Sequence, residues 1–372
     1  MAQLFRILAA FLAMYMQHMT QGPSKLLPVV PTATRTATLT ATNTRTDTPT
    51  RTATRTPTAT RTPTPTITPF PSAPVSHTDP LGFEVIGVPP AQKLPSAMLI
   101  YPLVRVSTTP GQEKETRIEL MNLTGSLVSV QCFYVQGGTC NEIGFFVNLT
   151  GNQPLSWTAS TGSTGNGRRI APPFIGDGEL KCVVVPQTPD LSSYNALQGR
   201  ALLSDSNTLT SDALTVGYSA IAFRRLSPGD FTGVVSLDGI NYEMCPDRLH
   251  FQVLTQKSGS NSELVLVPCS QDLELQIPSS ANIQLAVVNE LEQQFSGSTT
   301  VKCFNRINFS SLAALRQSGV GTDTAHLMVR GTDVPVVGLV IDRFTVPGSG
   351  VPSASSNDPD LEGGRPATVV LP

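Results

Sequence analysis

Charged residues and histidines are scarce in this sequence, and their scarcity limits the chemistry available to it. Only 14% of the 372 residues are Asp, Glu, Lys or Arg, against about 25% in an ordinary soluble domain. Histidine, the usual proton-exchanging side chain near neutral pH, occurs four times. We expect His250 and His326 to be isolated structural or surface residues of strands. No G-x-S-x-G, Walker A, G-x-G-x-x-G or H-E-x-x-H motif is present, so we predict a non-enzymatic protein without a cofactor.

Metal-site patterns and aromatic platforms are also missing. No C-x-x-C pair occurs and the histidines are scattered, which removes the usual zinc spacing. The acidic run Asp358, Asp360, Glu362 has the alternation that begins a calcium loop, but position twelve is Val369 rather than glutamate, which excludes an EF-hand. Trp157 is the only tryptophan and lies in an apolar stretch, where burial is expected. We therefore predict no metal site and have no sequence support for a sugar-binding aromatic platform.

The formal net charge of −2 combines two regions of opposite sign. Residues 1–75 contain seven Lys or Arg and a single acid, Asp47, whereas residues 76–372 contain 18 Lys or Arg and 26 Asp or Glu. The part of the chain that can fold is thus acidic, which argues against a nucleic-acid-binding protein.

The N-terminal region has the features of an export signal followed by a spacer. Arg6 precedes a short apolar segment, residues 7–16, of secretory type, which is shorter than the ~20 residues of a membrane span. Threonine then occupies every even position from 32 to 68, without an apolar face to bury. We predict a signal peptide or N-terminal anchor over residues 1–22, no other membrane span, and a disordered Thr/Pro/Arg-rich linker over residues 23–80.

The cysteines support an extracytoplasmic location, either secreted or on the cell surface. An even number of cysteines in an exported chain predicts structural disulfides. The six are Cys132, Cys140, Cys182, Cys245, Cys269 and Cys303. Several connectivities are compatible with the spacing, and we favour Cys132–Cys182 and Cys269–Cys303.

Residues after 80 consist of short runs rich in Val, Ile, Leu, Phe and Tyr, separated by Gly, Pro, Asn and Ser. We predict a strand at each run, for example at residues 214–223, 263–267 and 273–277. No long amphipathic helix lies between them, which favours β-sandwiches over βαβ units. We predict an all-β protein of two tandem β-sandwich-like domains, over residues 81–228 and 229–346. A C-terminal tail, 347–372, would contain a terminal strand.

Two similar stretches suggest that these domains arose by internal duplication. GELKC (178–182) followed by LSSYNAL (191–197) is matched by TTVKC (299–303) followed by FSSLAAL (309–315). Each serine-containing stretch predicts one or two helical turns with Ser as N-cap and a later glycine, Gly199 in the first copy, as terminator. Chance similarity between hydrophobic strands is the alternative.

Several phrases resemble those of an uncharacterised family of secreted bacterial β-rich proteins. The likeness covers most of residues 98–346. The phrases are YPLVRV (101–106), VQCFYV (130–135), VPCSQDLE (267–274), TTVKCF (299–304) and RPATVVLP (365–372). The resemblance implies export and a β-rich body, and it implies no activity because none is established for the family.

Three functions are compatible with this sequence. The first is a secreted or cell-surface, non-enzymatic protein with a structural, adhesion or binding role, whose partner is a cell-surface polymer or another surface protein. The second is an extracellular, carbohydrate-active hydrolase with a Thr/Pro linker, which would show paired carboxylates in an open cleft. The third is a strand-exchanging assembly subunit with residues 367–371 as donor strand, which docking of that segment in its own chain would argue against.

Overall fold

The computed structural model describes residues 94–186, 190–207, 212–255, 260–312, 314–345 and 352–372. These residues belong to one compact unit, Pro71–Pro372. The signal segment and the linker expected before residue 81 lie outside the described residues. None of the helices in these ranges has the length and apolar composition of a membrane span.

The described chain is almost entirely β-strand. Short helical turns occur at Leu191–Tyr194, Phe309–Ser311 and Gln317–Val320. In chain order the strands are β1 (Met98–Val106), β2 (Glu113–Asn122), β3 (Val128–Gln136), β4 (Glu142–Leu149), β5 (Pro154–Thr158), β6 (Gly176–Val185), β7 (Leu197–Asn207), β8 (Asp212–Ser219), β9 (Ile221–Phe223), β10 (Val234–Leu237), β11 (Arg248–Leu254), β12 (Glu263–Pro268), β13 (Gln271–Asp272), β14 (Ser280–Asn289), β15 (Gln294–Lys302), β16 (Asn305–Asn308), β17 (Thr324–Gly331), β18 (Val336–Thr345), β19 (Pro352–Asn357), β20 (Asp360–Glu362) and β21 (Ala367–Val370).

These strands form five sheets, arranged as a five-bladed β-propeller. The prediction of two tandem β-sandwich domains is therefore wrong, although the all-β class is correct. Neighbouring strands are antiparallel except β13 and β21, which are parallel. The orders are β4-β3-β6-β1-β9 in sheet I, β5-β2-β7-β8 in sheet II, β10-β21-β13 in sheet III, β16-β12-β18-β19 in sheet IV and β15-β14-β17-β11-β20 in sheet V.

The tandem prediction fails because the sheets share their apolar cores across the expected boundary near residue 228. Val265 of β12 packs in the same core as sheets I and II. Its neighbours Leu264 and Leu266 point to the other side, into the core shared with sheet V, as the period of two along a strand requires. Sheet I is also covered on both sides, since Leu99 and Ile100 of β1 enter different cores. A hydrophobic run shows that a strand is buried, but not which sheet covers it.

The two matching phrases occupy different places, so the expected duplication is also wrong. GELKC lies in β6, a buried strand between β3 and β1 in sheet I. TTVKC runs through the end of β15, an edge strand with alternating exposure. Helical turns follow at both places, but they begin after Asp190 and Asn308, neither of which caps through its side chain.

All six cysteines form disulfides, as predicted. Cys132 pairs with Cys182, its direct partner in the β3–β6 register. The favoured Cys269–Cys303 pairing is wrong. The remaining two disulfides are Cys140–Cys303 and Cys245–Cys269, with Cα–Cα distances of 5.8 Å and 6.3 Å. Cys303 reaches the turn between β3 and β4, a contact between distant parts of the chain that spacing alone does not show.

The Cys140–Cys303 disulfide is predicted to stabilise the fold more than Cys245–Cys269. It closes a separation of 163 residues rather than 24, and the loop-entropy model gives roughly 5 and about 3.5 kcal/mol, respectively. Thermal unfolding of the Cys140→Ser/Cys303→Ser variant should therefore occur at a lower temperature than that of Cys245→Ser/Cys269→Ser. All four cysteines are buried, so each variant is the control of the other for cavity effects. The reverse order would contradict the prediction.

Candidate functional site

A cleft of about 590 Å³ lies on the outer face of sheet II. Alternation along β2 produces this face, because Ile118 and Leu120 are buried in the core while Arg117 and Glu119 point outward. The cleft is lined by Arg117, Glu119, Leu120, Met121, Pro154, Leu155, Ser156, Gln198, Gly199, Arg200 and Ser219.

Two arginines and one glutamate dominate the electrostatics of this cleft. The side chains of Arg117 and Arg200 are 52% and 64% exposed, and that of Glu119 is 25% exposed. Arg200 Nε lies 2.5 Å from Glu119 Oε2, and Arg117 Nε lies 3.7 Å from Oε1. Arg117 Nη2 also donates a hydrogen bond to Ser156 Oγ at 2.7 Å. The two guanidinium groups share one carboxylate, which leaves the cleft with one excess positive charge and exposed donors for an anion.

Gly199 allows the core to approach the floor of the cleft closely. The hydroxyl of Tyr101 donates a hydrogen bond to the backbone oxygen of Glu119 at 2.9 Å. A Cβ atom at Gly199 would lie 1.9 Å from that hydroxyl oxygen. The sequence prediction of Gly199 as a helix terminator is wrong, because this glycine lies inside β7 and is required by packing.

Gly199→Ala is expected to destabilise the protein, since overpacking of a buried site costs about 1–3 kcal/mol. Gly165→Ala is the matched control, because its added Cβ would meet nothing within 4 Å. Chemical denaturation should show a lower midpoint for Gly199→Ala and an unchanged midpoint for Gly165→Ala. Equal midpoints for both variants would refute the packing role of Gly199.

A second polar feature lies on the outer face of sheet V, where two histidines meet. His250 Nδ1 and His326 Nε2 are 3.2 Å apart, and the two rings are stacked with centroids 5.2 Å apart. His250 Nε2 lies 2.6 Å from Glu362 Oε2. The prediction of isolated histidines is thus wrong. In the β11–β17 register, His326 lies opposite Gln252, which is the next residue after His250 on the same face of β11. The sequence contained no signal for that register.

The histidines border a groove of about 240 Å³ that contains Val288, Phe295 and Ser296. The contacts of Glu362, His250 and His326 form a continuous polar chain beside this groove. Within the described part of the chain, no hydrogen bond joins Ser296 to either imidazole.

The acidic tail does not assemble as a calcium loop would. Glu362 contacts His250 and Arg248, and Asp360 is the β20 residue opposite His250. In the ranges that the structure covers, no group of three or more His, Cys, Asp or Glu residues is placed to hold a metal ion.

The histidine pair is predicted to make stability pH-dependent. Burial, followed by the neighbouring His250, lowers the pKa of His326, while Asp360 acts in the opposite direction. The unfolded chain therefore binds this proton more tightly, and stability falls as the pH decreases from about 6.5 toward the lower folded pKa. Glu362 is a further charged group at the pair, since its Oε2 contacts His250 Nε2.

The denaturation midpoint of the wild type should be lower at about pH 5 than at about pH 7.5. His326→Gln should reduce this difference, whereas Gln294→Ala, which changes another residue that lines the same groove, should retain it. An unchanged pH dependence in His326→Gln would remove His326 as its source.

Two further sequence expectations concern Trp157 and the C-terminal strand. Trp157 is buried, as expected, and its Nε1 donates to the hydroxyl of Tyr134 at 2.7 Å, so it offers no exposed platform.

The C-terminal strand β21 pairs with β10 and β13 of its own chain. That docking argues against residues 367–371 as a donor strand for another subunit.

Comparison with known proteins assigns no family. No protein family model matches this chain, and no curated protein matches it. The fold and the cross-links define an all-β protein with three disulfides, a pattern suited to an oxidising, extracytoplasmic environment.

Proposed function

We propose that the protein acts outside the cytoplasm, secreted or on the cell surface, as a non-enzymatic binding protein. Its ligand-binding site is the arginine cleft of sheet II, defined by Arg117, Glu119 and Arg200. The observation that carries this proposal is the pair of exposed guanidinium groups in this cleft of about 590 Å³. Its ligand is an acidic surface polymer, such as a polysaccharide with carboxylate groups.

The lining of the cleft fits a sugar chain of this kind. Guanidinium groups bind carboxylates through paired hydrogen bonds. Ser156, Gln198 and Ser219 add hydroxyl and amide groups, and Met121 and Pro154 add apolar surface. Polar groups at fixed positions beside apolar area are the usual composition of a ligand site.

Binding is favoured over hydrolysis because the described lining of the cleft contains a single carboxylate. Glycoside hydrolases of the usual type need two carboxyl groups about 5–10 Å apart. Among the residues that the structure describes, Glu119 is the only acidic one that lines the arginine cleft, and its two oxygens are paired with Arg200 and Arg117. The alternative of a carbohydrate-active hydrolase therefore has no acid–base pair at this site.

The binding proposal is tested by titrating the full chain with polygalacturonate in a calorimeter, with neutral dextran as a second ligand. We expect binding of polygalacturonate only, weakened by added salt because the contacts are ionic. Arg117→Gln/Arg200→Gln should reduce affinity at least about tenfold, which corresponds to the loss of about 1.4 kcal/mol.

The matched control is Arg168→Gln/Arg169→Gln, which removes the same charge from two exposed arginines outside the cleft. If both double variants lose affinity equally, the effect is one of net charge and the site assignment fails. If polygalacturonate does not bind the wild type, the proposed ligand class is wrong.

A further inference from the structure

A lysine, a glutamine and two glutamates form a buried polar cluster between sheets I and III. Lys181 and Glu179 of β6 are completely buried, and Gln271 of β13 is 4% exposed. Lys181 Nζ donates to Glu179 Oε1 at 2.6 Å and to Gln271 Oε1 at 2.5 Å. Gln271 Nε2 in turn donates to Glu142 Oε1 at 2.8 Å.

The strand positions on either side of Lys181 are apolar. Lys181 is cross-strand neighbour to Ile100 on β1 and Phe133 on β3. Both belong to the core that also contains Leu273 and Val369. Removing an ammonium group from water into such a core is costly unless the group is paired and hydrogen-bonded.

The hydrogen bonds leave the cluster only partly satisfied. Among the described residues, Glu179 Oε2 and Glu142 Oε2 are buried without a hydrogen-bond partner. Burial raises the pKa of Glu179 despite the opposing effect of Lys181. Burial also raises the pKa of Glu142 despite its contact with Gln271 and the charge of Lys181. Both carboxyl groups are thus suited to hold and transfer protons.

We propose that Lys181 and Gln271 become joined by an intramolecular isopeptide bond. The reacting carbon is Gln271 Cδ, which lies one C=O bond, about 1.2 Å, from the oxygen that Lys181 Nζ contacts. A desolvated lysine amine next to a general base is an activated nucleophile. The groups are held in contact by the fold, which supplies the proximity such a reaction needs.

The reaction balances without an external reagent. Glu179 takes a proton from the Lys181 ammonium, and the free amine nitrogen attacks Gln271 Cδ to form the Nζ–Cδ bond. The Cδ–Nε2 bond breaks, its electron pair leaves with the nitrogen, and protonated Glu142 supplies the proton that makes this nitrogen ammonia. Nζ loses a second proton as the amide forms, and Glu142 takes up this proton, which restores its protonated form. The products are a secondary amide and one ammonia.

The bond would link two strands that are 90 residues apart in sequence and belong to different sheets. It would therefore add a fourth covalent cross-link to the three disulfides, one that reducing agents do not break. Because the amide would lie in a buried core, water that could hydrolyse it is excluded.

The test is mass spectrometry of the reduced, denatured full chain, followed by tryptic peptide mapping. We expect a branched peptide that contains residues 181 and 271, lighter than its two components by one ammonia, and no tryptic cleavage after Lys181. Recovery of separate, unmodified peptides ending at Lys181 and containing Gln271 would overturn the proposal. The peptide map also distinguishes this ammonia loss from cyclisation of an N-terminal glutamine.

Variants identify the reacting groups. Glu179→Gln should leave Lys181 and Gln271 unlinked, because the base is lost, and Gln271→Met should do so because the reacting carbon is absent. Lys302→Met removes an exposed lysine and should leave the branched peptide unchanged. If Glu179→Gln still gives the full amount of branched peptide, the role of Glu179 as base is wrong. A branched peptide in Gln271→Met would exclude Gln271 as the acceptor.

Discussion

A buried arginine holds three of the five sheets together. Arg105 of β1 is only 2% exposed, and its guanidinium contacts Asp177 of β6, Asp205 of β7 and Glu263 of β12. These carboxylates belong to sheets I, II and IV, so one side chain fixes their relative position. Burial lowers the pKa of Arg105, but Glu263 and the two aspartates more than compensate and raise it. Arg105 therefore keeps its positive charge in the folded protein.

This arrangement is stable only because the charges in it are balanced. Arg306 contacts both Asp177 and Glu263, and Arg343 contacts Asp205. Three arginines thus face three carboxylates. A complete buried ion cluster contributes little net stability compared with apolar packing, but loss of one member leaves an uncompensated charge that costs about 3–5 kcal/mol. The cluster consequently contributes more to the choice of one sheet arrangement than to the free energy of unfolding. Arrangements that would separate these residues are excluded.

The sequence predicted local structure well and long-range arrangement poorly, for physical reasons. Runs such as Glu263–Val267 became strands because alternation and composition are local properties. The run 273–277 did not, apart from an isolated bridge at Ile277. The run 214–223 divides at Ala220 into β8 and β9, which belong to different sheets. The histidine pair, the arginine cleft and the buried polar cluster around Lys181 all depend on cross-strand register, which single-strand patterns do not encode.

The arginine cleft and the buried ion cluster are connected through one strand. Arg200 lines the cleft and Asp205 contacts Arg105, and both lie on β7, which pairs with β2 over ten residues from Glu113 to Asn122. The guanidinium groups that would meet a ligand are thus attached to a two-stranded ladder fixed at its other end by buried charge. A site on such a scaffold loses little backbone entropy when a ligand binds, which favours affinity. The constraint that orders the sheets therefore also orders the proposed binding surface.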